Sequence, residues 1–521
     1  MRMNAVRLLL AVLCLSLFGC TRPQPLGNEE LVEISAKAMA ESGHSDQLIS
    51  LSLDEVVLQA LGQNLDFRIS MLESAIASGN HKLANLELLP RLAASAGYSR
   101  RDNLLASVSK DAQSGQVSLV SSTGTDREIK SAALELDWNI LDFSLAYFQA
   151  KEYADQSMAA IERRRRVMQN LMAEIVHVWW QVWSFQQLQS DLAVVREDVE
   201  QALSQSDRII SQRLVDPIRF IEYRKQLFYV LRRLDGLALQ LDQAESRLVE
   251  LLNLKPGTTL ELRDGDALMV DAIAYGVPDV AVRHWQQAAL MNRPEIRMAA
   301  YEGRAAISEA KRRLWGVFPR IGFRGGHNYS SNSYLENNSW AEGGVNVSVD
   351  LLRLTSIPSL KRNKNLVEKL VDAKQKAIGA AVVSQVAIAD KAYRQNLRSW
   401  CMSDQLLSLD GQRAQLLEAK SSAAALDRLS LVQARTDHLL LRFEVAMAFA
   451  DLQRDRMRLM LSTGLISDPP QTEQGIDPEA FPEWLYKGLY QNAGTEVSLA
   501  AEAMGEPLVP PEGAVKSELC K

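Results

Sequence analysis

Residues Ala60–Tyr98 read ALGQNLDFRISMLESAIASGNHKLANLELLPRLAASAGY, and residues Ala289–His327 read ALMNRPEIRMAAYEGRAAISEAKRRLWGVFPRIGFRGGH. Superposed without a gap, the two stretches lie 229 residues apart and agree at nine of 39 positions. Those identities include Arg68/Arg297, Glu73/Glu302, Lys82/Lys311, Pro90/Pro319, Arg91/Arg320 and Gly97/Gly326, with conservative pairs such as Asp66/Glu295 and Phe67/Ile296 between them. The same order of pattern follows each copy: helix, strand, polar loop, strand, very long helix, break, helix. Two internal repeats therefore organise the chain, and each is one supersecondary unit that must bury its apolar faces against the other.

In the first repeat a helix is expected over Val56–Leu89, with Ser52 as N-cap and Glu55 three residues on, in capping-box spacing. Pro90 ends it. The period then changes to two: Leu134, Leu136, Trp138 and Ile140 alternate with Glu135, Asp137 and Asn139, a strand with one apolar and one polar face. Leu92–Ser109 is a weaker strand candidate. From Leu145 the period is helical for about 65 residues. Its stripe runs through Val167, Leu171, Ile175, Val178, Val182, Phe185, Leu188, Leu192, Val195, Val199 and Leu203 at a mean spacing of about 3.6. A break at Arg213–Pro217 precedes a return helix to about Asn253, with Pro217 suited to its first turn. The second repeat gives a helix over Val282–Phe318, strands over Ile321–Tyr329 and Gly344–Leu352, a long helix over Pro358–Ser422, a break near Ala424–Leu429 and a return helix to about Thr463.

Two short helices end to end match one long helix, so each repeat makes a two-lane hairpin roughly 100 Å long, with strands at one end and a turn at the other. Four strands cannot close a barrel, since outer-membrane barrels begin at about eight. The amphipathic alternation thus demands an oligomer to remove the open strand edges.

The ends and composition narrow the class. Arg2 and Arg7 precede the apolar run Leu8–Phe18, too short for a membrane span and suited to a signal segment over residues 1–19. Leu17-Phe18-Gly19-Cys20 resembles a bacterial lipobox, which makes Cys20 the lipidated first residue of the mature chain; Thr21 after it then implies the outer membrane. An ordinary signal peptide with an incidental cysteine is the other reading. Without the two signal arginines the formal charge goes from −6 to −8, so no basic excess suggests nucleic acid. Only Cys401 and Cys520 remain beyond Cys20, which gives no disulfide framework and no evident partner for Cys520. No 18-residue apolar run offers a transmembrane helix. Residues 20–50 read as a lipidated N-terminal extension, 51–254 and 282–464 as the repeats, 255–281 as the linker between them. The segment 465–521, rich in Pro, Glu and Gly, reads as an extended or partly disordered tail.

Over Leu51–Gly464 the sequence resembles the outer-membrane efflux proteins, the TolC-like family. Leu51-Ser52-Leu53-Asp54-Glu55-Val56-Val57-Leu58-Gln59-Ala60-Leu61 is similar to the family's opening segment. Asn292-Arg293-Pro294-Glu295-Ile296 resembles its Arg-Pro-acidic signature, with Asn64–Phe67 as a degenerate first copy. Leu88-Leu89-Pro90 and Val317-Phe318-Pro319 match the proline before each strand pair, and Leu136–Asp142 resembles the exit of the second strand. The resemblance implies a mainly α fold with a membrane β-barrel portion: a homotrimer with a 12-stranded barrel in the outer-membrane lipid, continued by a periplasmic α-helical barrel. It implies a passive exit duct, not an enzyme and without cofactors, docked by a periplasmic adaptor and served by an inner-membrane transporter.

The resemblance also places function at the two hairpin turns. Arg213, Leu214, Val215 and Asp216 at the first turn, and Ala424, Ala425 and Leu426 at the second, are the expected adaptor-docking tip. Arg219, Asp427, Arg428, Ser430 and Gln433 are the expected gate. The sequence departs from the family in lacking glycine at both turns and acidic residues at Ser430 and Gln433, and a plain solvated turn is the other reading. Trp179, Trp180 and Trp183 lie beside the apolar stripe and read as packing rather than a stacking site. The run Arg163–Arg166 reads as surface or lumen lining, or as an anion-attracting segment. No metal, phosphate-loop or nucleophile motif is present. A periplasmic coiled-coil lipoprotein acting as adaptor or envelope spacer is the alternative class, and the amphipathic strands speak against it.

Overall fold

The structure, a computed structural model, describes residues 26–41, 47–110, 112–117, 120–211, 217–274, 277, 281–420, 426–464, 466, 468–472 and 475–488. The first half comprises α1 (Asn28–Glu41), β1 (Leu48–Leu51), α2 (Leu53–Gln63), α3 (Leu65–Leu86), β2 (Arg91–Arg100), the small strands β3 (Ala106–Ser107) and β4 (Ser122–Thr123), β5 (Glu128–Asn139), α4 (Ile140–Ser211) and α5 (Pro217–Leu251). Next come β6 (Thr259–Leu262) and α6 (Gly265–Ala274). The second half holds α7 (Val282–Asn292), α8 (Pro294–Trp315), β7 (Arg320–Ser330), β8 (Ser339–Ser348), the single turn α9 (Leu351–Leu354), α10 (Ile357–Lys420) and α11 (Leu426–Thr463). Two-residue strands β9 (Gln471–Thr472) and β10 (Gly475–Ile476) lead to α12 (Phe481–Tyr486).

Both opening helices, expected to be continuous, are broken in two. Asn64 leaves the helical region (φ −62°, ψ 127°); its Oδ1 caps α3 by accepting from the Phe67 N–H at 3.1 Å, and its Nδ2 donates to the Leu251 carbonyl at 3.2 Å. Arg293 is extended at the corresponding place (φ −68°, ψ 133°), as Pro294 requires of the residue before it. The Ser52 N–H donates to Glu55 Oε2 at 2.9 Å as the capping box predicts, while Ser52 Oγ goes to Asp54. The last strand ends at Ser348 rather than Leu352, because Asp350 Oδ1 accepts from the Leu352 and Arg353 N–H groups and starts α9. Helix α11 begins at Leu426, inside the expected break.

Strands β2, β5, β7 and β8 form one antiparallel sheet in the order β2-β5-β7-β8, so that β5, from the first half, pairs directly with β7 of the second. Leu136 faces Leu92 and Gly325; Trp138 faces Phe323, which faces Val345. Among the described residues the outer edges of β2 and β8 have no partner strand.

Below the sheet the helices form a wall. With 72 and 64 residues, α4 and α10 run roughly 108 and 96 Å. Helix α4 contacts α3 and α8 along one part of its length and α5 and α11 along the other; α10 is flanked by α7, α8 and α11. Shorter helices are thus laid end to end beside long ones, and Gly464 makes one of these joints possible. It ends α11 at φ +70° against the Asn292 backbone, leaving no room for a Cβ.

The main core gathers at this waist. Trp179, Trp180 and Trp183 are buried there with Phe449, Trp400 and Trp285, as their place on the α4 stripe predicts. Trp180 meets Phe449 edge to face at 4.9 Å between centroids. The extension and the linker join here: β1 pairs in parallel with β6, and Gln186 binds the opposite edge of β6, accepting from the Leu262 N–H and donating to the Leu260 carbonyl. The expectation of a loose tail is corrected for Phe481–Tyr486. Phe481 and Leu485 on α12 are buried in the same core, and the Tyr486 hydroxyl lies 3.3 Å from Asp54. Cys401, also in this core, is disulfide-bonded, although the sequence offers no framework.

Candidate functional site

The sheet carries two unlike faces, as the period-two pattern predicts. On one, Leu134 (49% exposed), Leu136 (45%), Val345 (66%) and Val347 (63%) join Leu92, Trp138 and Phe323 in an apolar band, with the Trp138 and Phe323 rings 6.0 Å apart. On the other, Glu135, Asp137, Arg324, Glu342 and Asn346 alternate with them, and Arg324 reaches Asp137 at 3.5 Å. A band of large apolar side chains that no described residue covers marks a surface made for lipid or protein. Strands of 10–12 residues match the 9–11 that cross a bilayer. Among the described residues no helix is long and apolar enough to cross a membrane.

At the far end of the long helices, Arg213, Leu214, Val215, Asp216, Ala424 and Ala425 lie outside the described residues, as does Cys20 at the other end of the chain. Arg219 falls in the first turn of α5, and Leu426, Asp427, Arg428 and Ser430 fall in the first two turns of α11. Gln433 is half-buried one turn on. The side chains of the expected gate residues Arg219, Asp427, Arg428 and Ser430 lie outside the description.

Just above this end the structure brings together groups that the sequence did not single out. Arg435 on α11 binds Asp198 on α4 at 2.8 Å, and Arg442 binds Asp191, one heptad further along α11 and one heptad back along α4. Arg196 ties α4 to Asp235 of α5 at 2.5 Å. Beneath them Val195, Val199, Leu227, Leu234 and Leu439 form a second apolar cluster from α4, α5 and α11. On the α10 side, Arg413 lies 3.3 Å from Asp410 and 3.8 Å from Asp437, and His438 Nδ1 lies 3.4 Å from Asp410. Opposite charges at heptad spacing were the available signal. It was unreadable alone because Asp198 and Arg435 are 237 residues apart.

The Arg163–Arg166 run meets carboxylates instead of forming a free cationic patch. Arg163 reaches Glu302 at 3.1 Å, Arg165 reaches Asp468 at 3.2 Å and Arg166 reaches Glu295 at 3.4 Å. Glu295 also holds Arg293 at 2.9 Å, so the Arg-Pro-acidic signature is part of the joint between α7, α8 and α4. A cavity of 780 Å³ opens beside it, lined by Arg166, Arg293, Arg454 and Arg458 with Glu174, Glu295 and Asp455. Burial pushes the Glu162 carboxyl upward, partly offset by Arg165 and Arg297. Burial likewise lowers the His177 imidazole, whose Nδ1 sits 3.4 Å from the Ala450 carbonyl.

With this architecture the chain is similar to several solved structures. The outer-membrane channel OprN is 17% identical, with a TM-score of 0.57 over 79% of this chain and 89% of its own. The Campylobacter jejuni CmeC outer-membrane channel is 13% identical, with a TM-score of 0.55 over 84% and 89%. CusC, described for conformational changes accompanying folding and transmembrane channel formation, is 16% identical, with a TM-score of 0.55 over 79% and 92%. The chain has the fold of the TolC-like outer-membrane channels. No protein-family model and no curated protein matches the sequence.

Proposed function

We propose that the chain is one protomer of a homotrimeric outer-membrane channel. It is the passive duct of a tripartite efflux or type I secretion system, between an inner-membrane transporter with its periplasmic adaptor and the cell exterior. The observation that carries this reading is the sheet: four antiparallel strands with an exposed apolar face, a polar face and two unpaired edges. Joining the β8 edge of one copy to the β2 edge of the next closes twelve strands from three copies. That removes every open edge, as a bilayer requires, and the polar faces then line the bore.

In this reading residues 1–19 are the signal peptide and Cys20 carries the lipid. Residues 51–254 and 282–464 are the repeats, and 255–281 the equatorial linker. The turns at Arg213–Asp216 and Ala424–Leu426 dock the adaptor, and Arg219, Asp427, Arg428, Ser430 and Gln433 surround the entrance. The Arg435–Asp198 and Arg442–Asp191 pairs hold the two halves together behind it.

Conductance of the purified, lipidated protein in planar bilayers, with its mass in detergent, tests the reading. Discrete conductance from a trimer, raised by neutralising Asp427 and Arg428, is the expected result. A monomer that conducts neither as wild type nor as tip variants would sink it and favour an envelope spacer.

A further inference from the structure

The 780 Å³ cavity beside the Arg-Pro-acidic joint is walled by α4, α10 and α11, and the duct reading gives it no part. Among the described residues four arginines line it, Arg166, Arg293, Arg454 and Arg458, against the carboxylates Glu174, Glu295 and Asp455. Each carboxylate is already committed. Glu174 accepts from Arg247 of α5, outside the lining, at 2.8 Å. Glu295 is shared by Arg293 at 2.9 Å and Arg166 at 3.4 Å. Asp455 is shared by Arg454 at 2.9 Å and Arg458 at 3.8 Å, and accepts from Asn396 at 2.6 Å.

The two ends of these chains are the arginines held most loosely. Arg166 on α4 is 50% exposed and Arg458 on α11 is 62% exposed. A guanidinium carries five N–H donors in a planar fork, so each keeps donors to spare. On the α10 side Ile388, Ala389 and Ala392 give the lining an apolar flank.

We propose that this cavity binds a small organic oxyanion, a carboxylate or phosphate ester with an apolar body. Arg166 and Arg458 grip its oxygens by charge-assisted hydrogen bonds, and Ile388, Ala389 and Ala392 carry the apolar part. Glu295 and Asp455 orient the guanidiniums, and because each is shared by two of them it does not cancel their charge. A cation would meet only carboxylates already taken, which sets the sign of the ligand. The volume lies within the roughly 300–1,000 Å³ of small-molecule pockets. One chain builds the site, so it stands apart from the trimer on which the duct depends.

The test is equilibrium dialysis of the purified full-length protein, with a detergent-only blank, against 1-naphthyl phosphate read by its fluorescence. Inorganic phosphate serves as competitor and 1-naphthylmethylammonium as the cationic counterpart. Naphthyl phosphate is expected to bind, to be displaced by inorganic phosphate and to weaken as salt rises. Arg458→Gln and Arg166→Gln, both at half-exposed positions, should each weaken it about ten- to a hundredfold. Arg398→Gln, exposed on α10 outside the lining, should leave it unchanged. Absence of binding, equal binding of the cationic counterpart, or wild-type affinity in the Arg166 and Arg458 variants would overturn the proposal. Failure of the duct reading looks different: naphthyl phosphate binds, but no trimer or conductance accompanies it.

Discussion

Gly265 opens α6 against the indole of Trp183, and a Cβ there would fall inside the ring's van der Waals envelope. Trp183 is locked between Trp179 and Trp180, so it has nowhere to move. Gly265→Ala is therefore expected to overpack the waist and cost about 1–3 kcal/mol, read as a lowered midpoint in thermal melts followed by tryptophan fluorescence. An unchanged midpoint would mean that α6 can slide on α4. His177 gives a pH signature. Burial keeps its ring neutral in the folded chain, with a pKa below the ordinary 6.5, whereas the unfolded chain takes up a proton near that value. The unfolded state then binds more protons, so stability is full above about 6.5 and is lost as pH falls below it, until the folded pKa is reached. His177→Gln should flatten the slope of unfolding free energy between pH 7 and 5 in urea titrations. An unaltered slope would place the acid sensitivity elsewhere.

Among the elements, the pairing of α4 with α11 is the contact to break. Each of Arg435–Asp198 and Arg442–Asp191 is half-exposed and worth about 0–1 kcal/mol alone. Two pairs one heptad apart nonetheless fix the register of the helices near the entrance. Arg435→Ala with Arg442→Ala is expected to raise conductance several-fold at low salt with little change in melting, and the excess should shrink as salt screens the wild-type pairs. Equal conductance in wild type and variant would show that these pairs only decorate the wall. The long helices were legible because a period of about 3.6 persists through Val167–Leu203, and the strands because Leu134–Ile140 alternates cleanly. The breaks at Asn64 and Arg293 were not. Asn64 is set by the Leu251 carbonyl, far along the chain, and only Pro294 marked the second. The sequence around Phe481–Tyr486 is too short and too rich in Pro and Glu to declare a helix; burial against α2 decides it. The arginine–aspartate ladder stayed hidden for the same reason: its members meet only after both halves have folded.

At the scale of the whole molecule, the reading depends on which face of the sheet meets lipid. Val347 and Asn346 are neighbours on β8, pointing to opposite faces across from Ile321 and Gly322. An arginine on the lipid face near the midplane costs about 2–4 kcal/mol. A closed trimer presents three copies of any substitution, so the penalty reaches roughly 6–12 kcal/mol, comparable to the stability of a whole domain. Val347→Arg is therefore expected to abolish the detergent-stable trimer and its conductance. Asn346→Arg, of the same size and charge but on the polar face, should assemble normally and shift ion selectivity toward anions by adding a ring of positive charge to the bore. Sedimentation in detergent and reversal potential in a salt gradient read the two outcomes separately. If both variants assemble alike, the apolar band does not face lipid and the barrel reading loses its support. If both fail alike, β8 is an interior strand of some other assembly, with protein against each face.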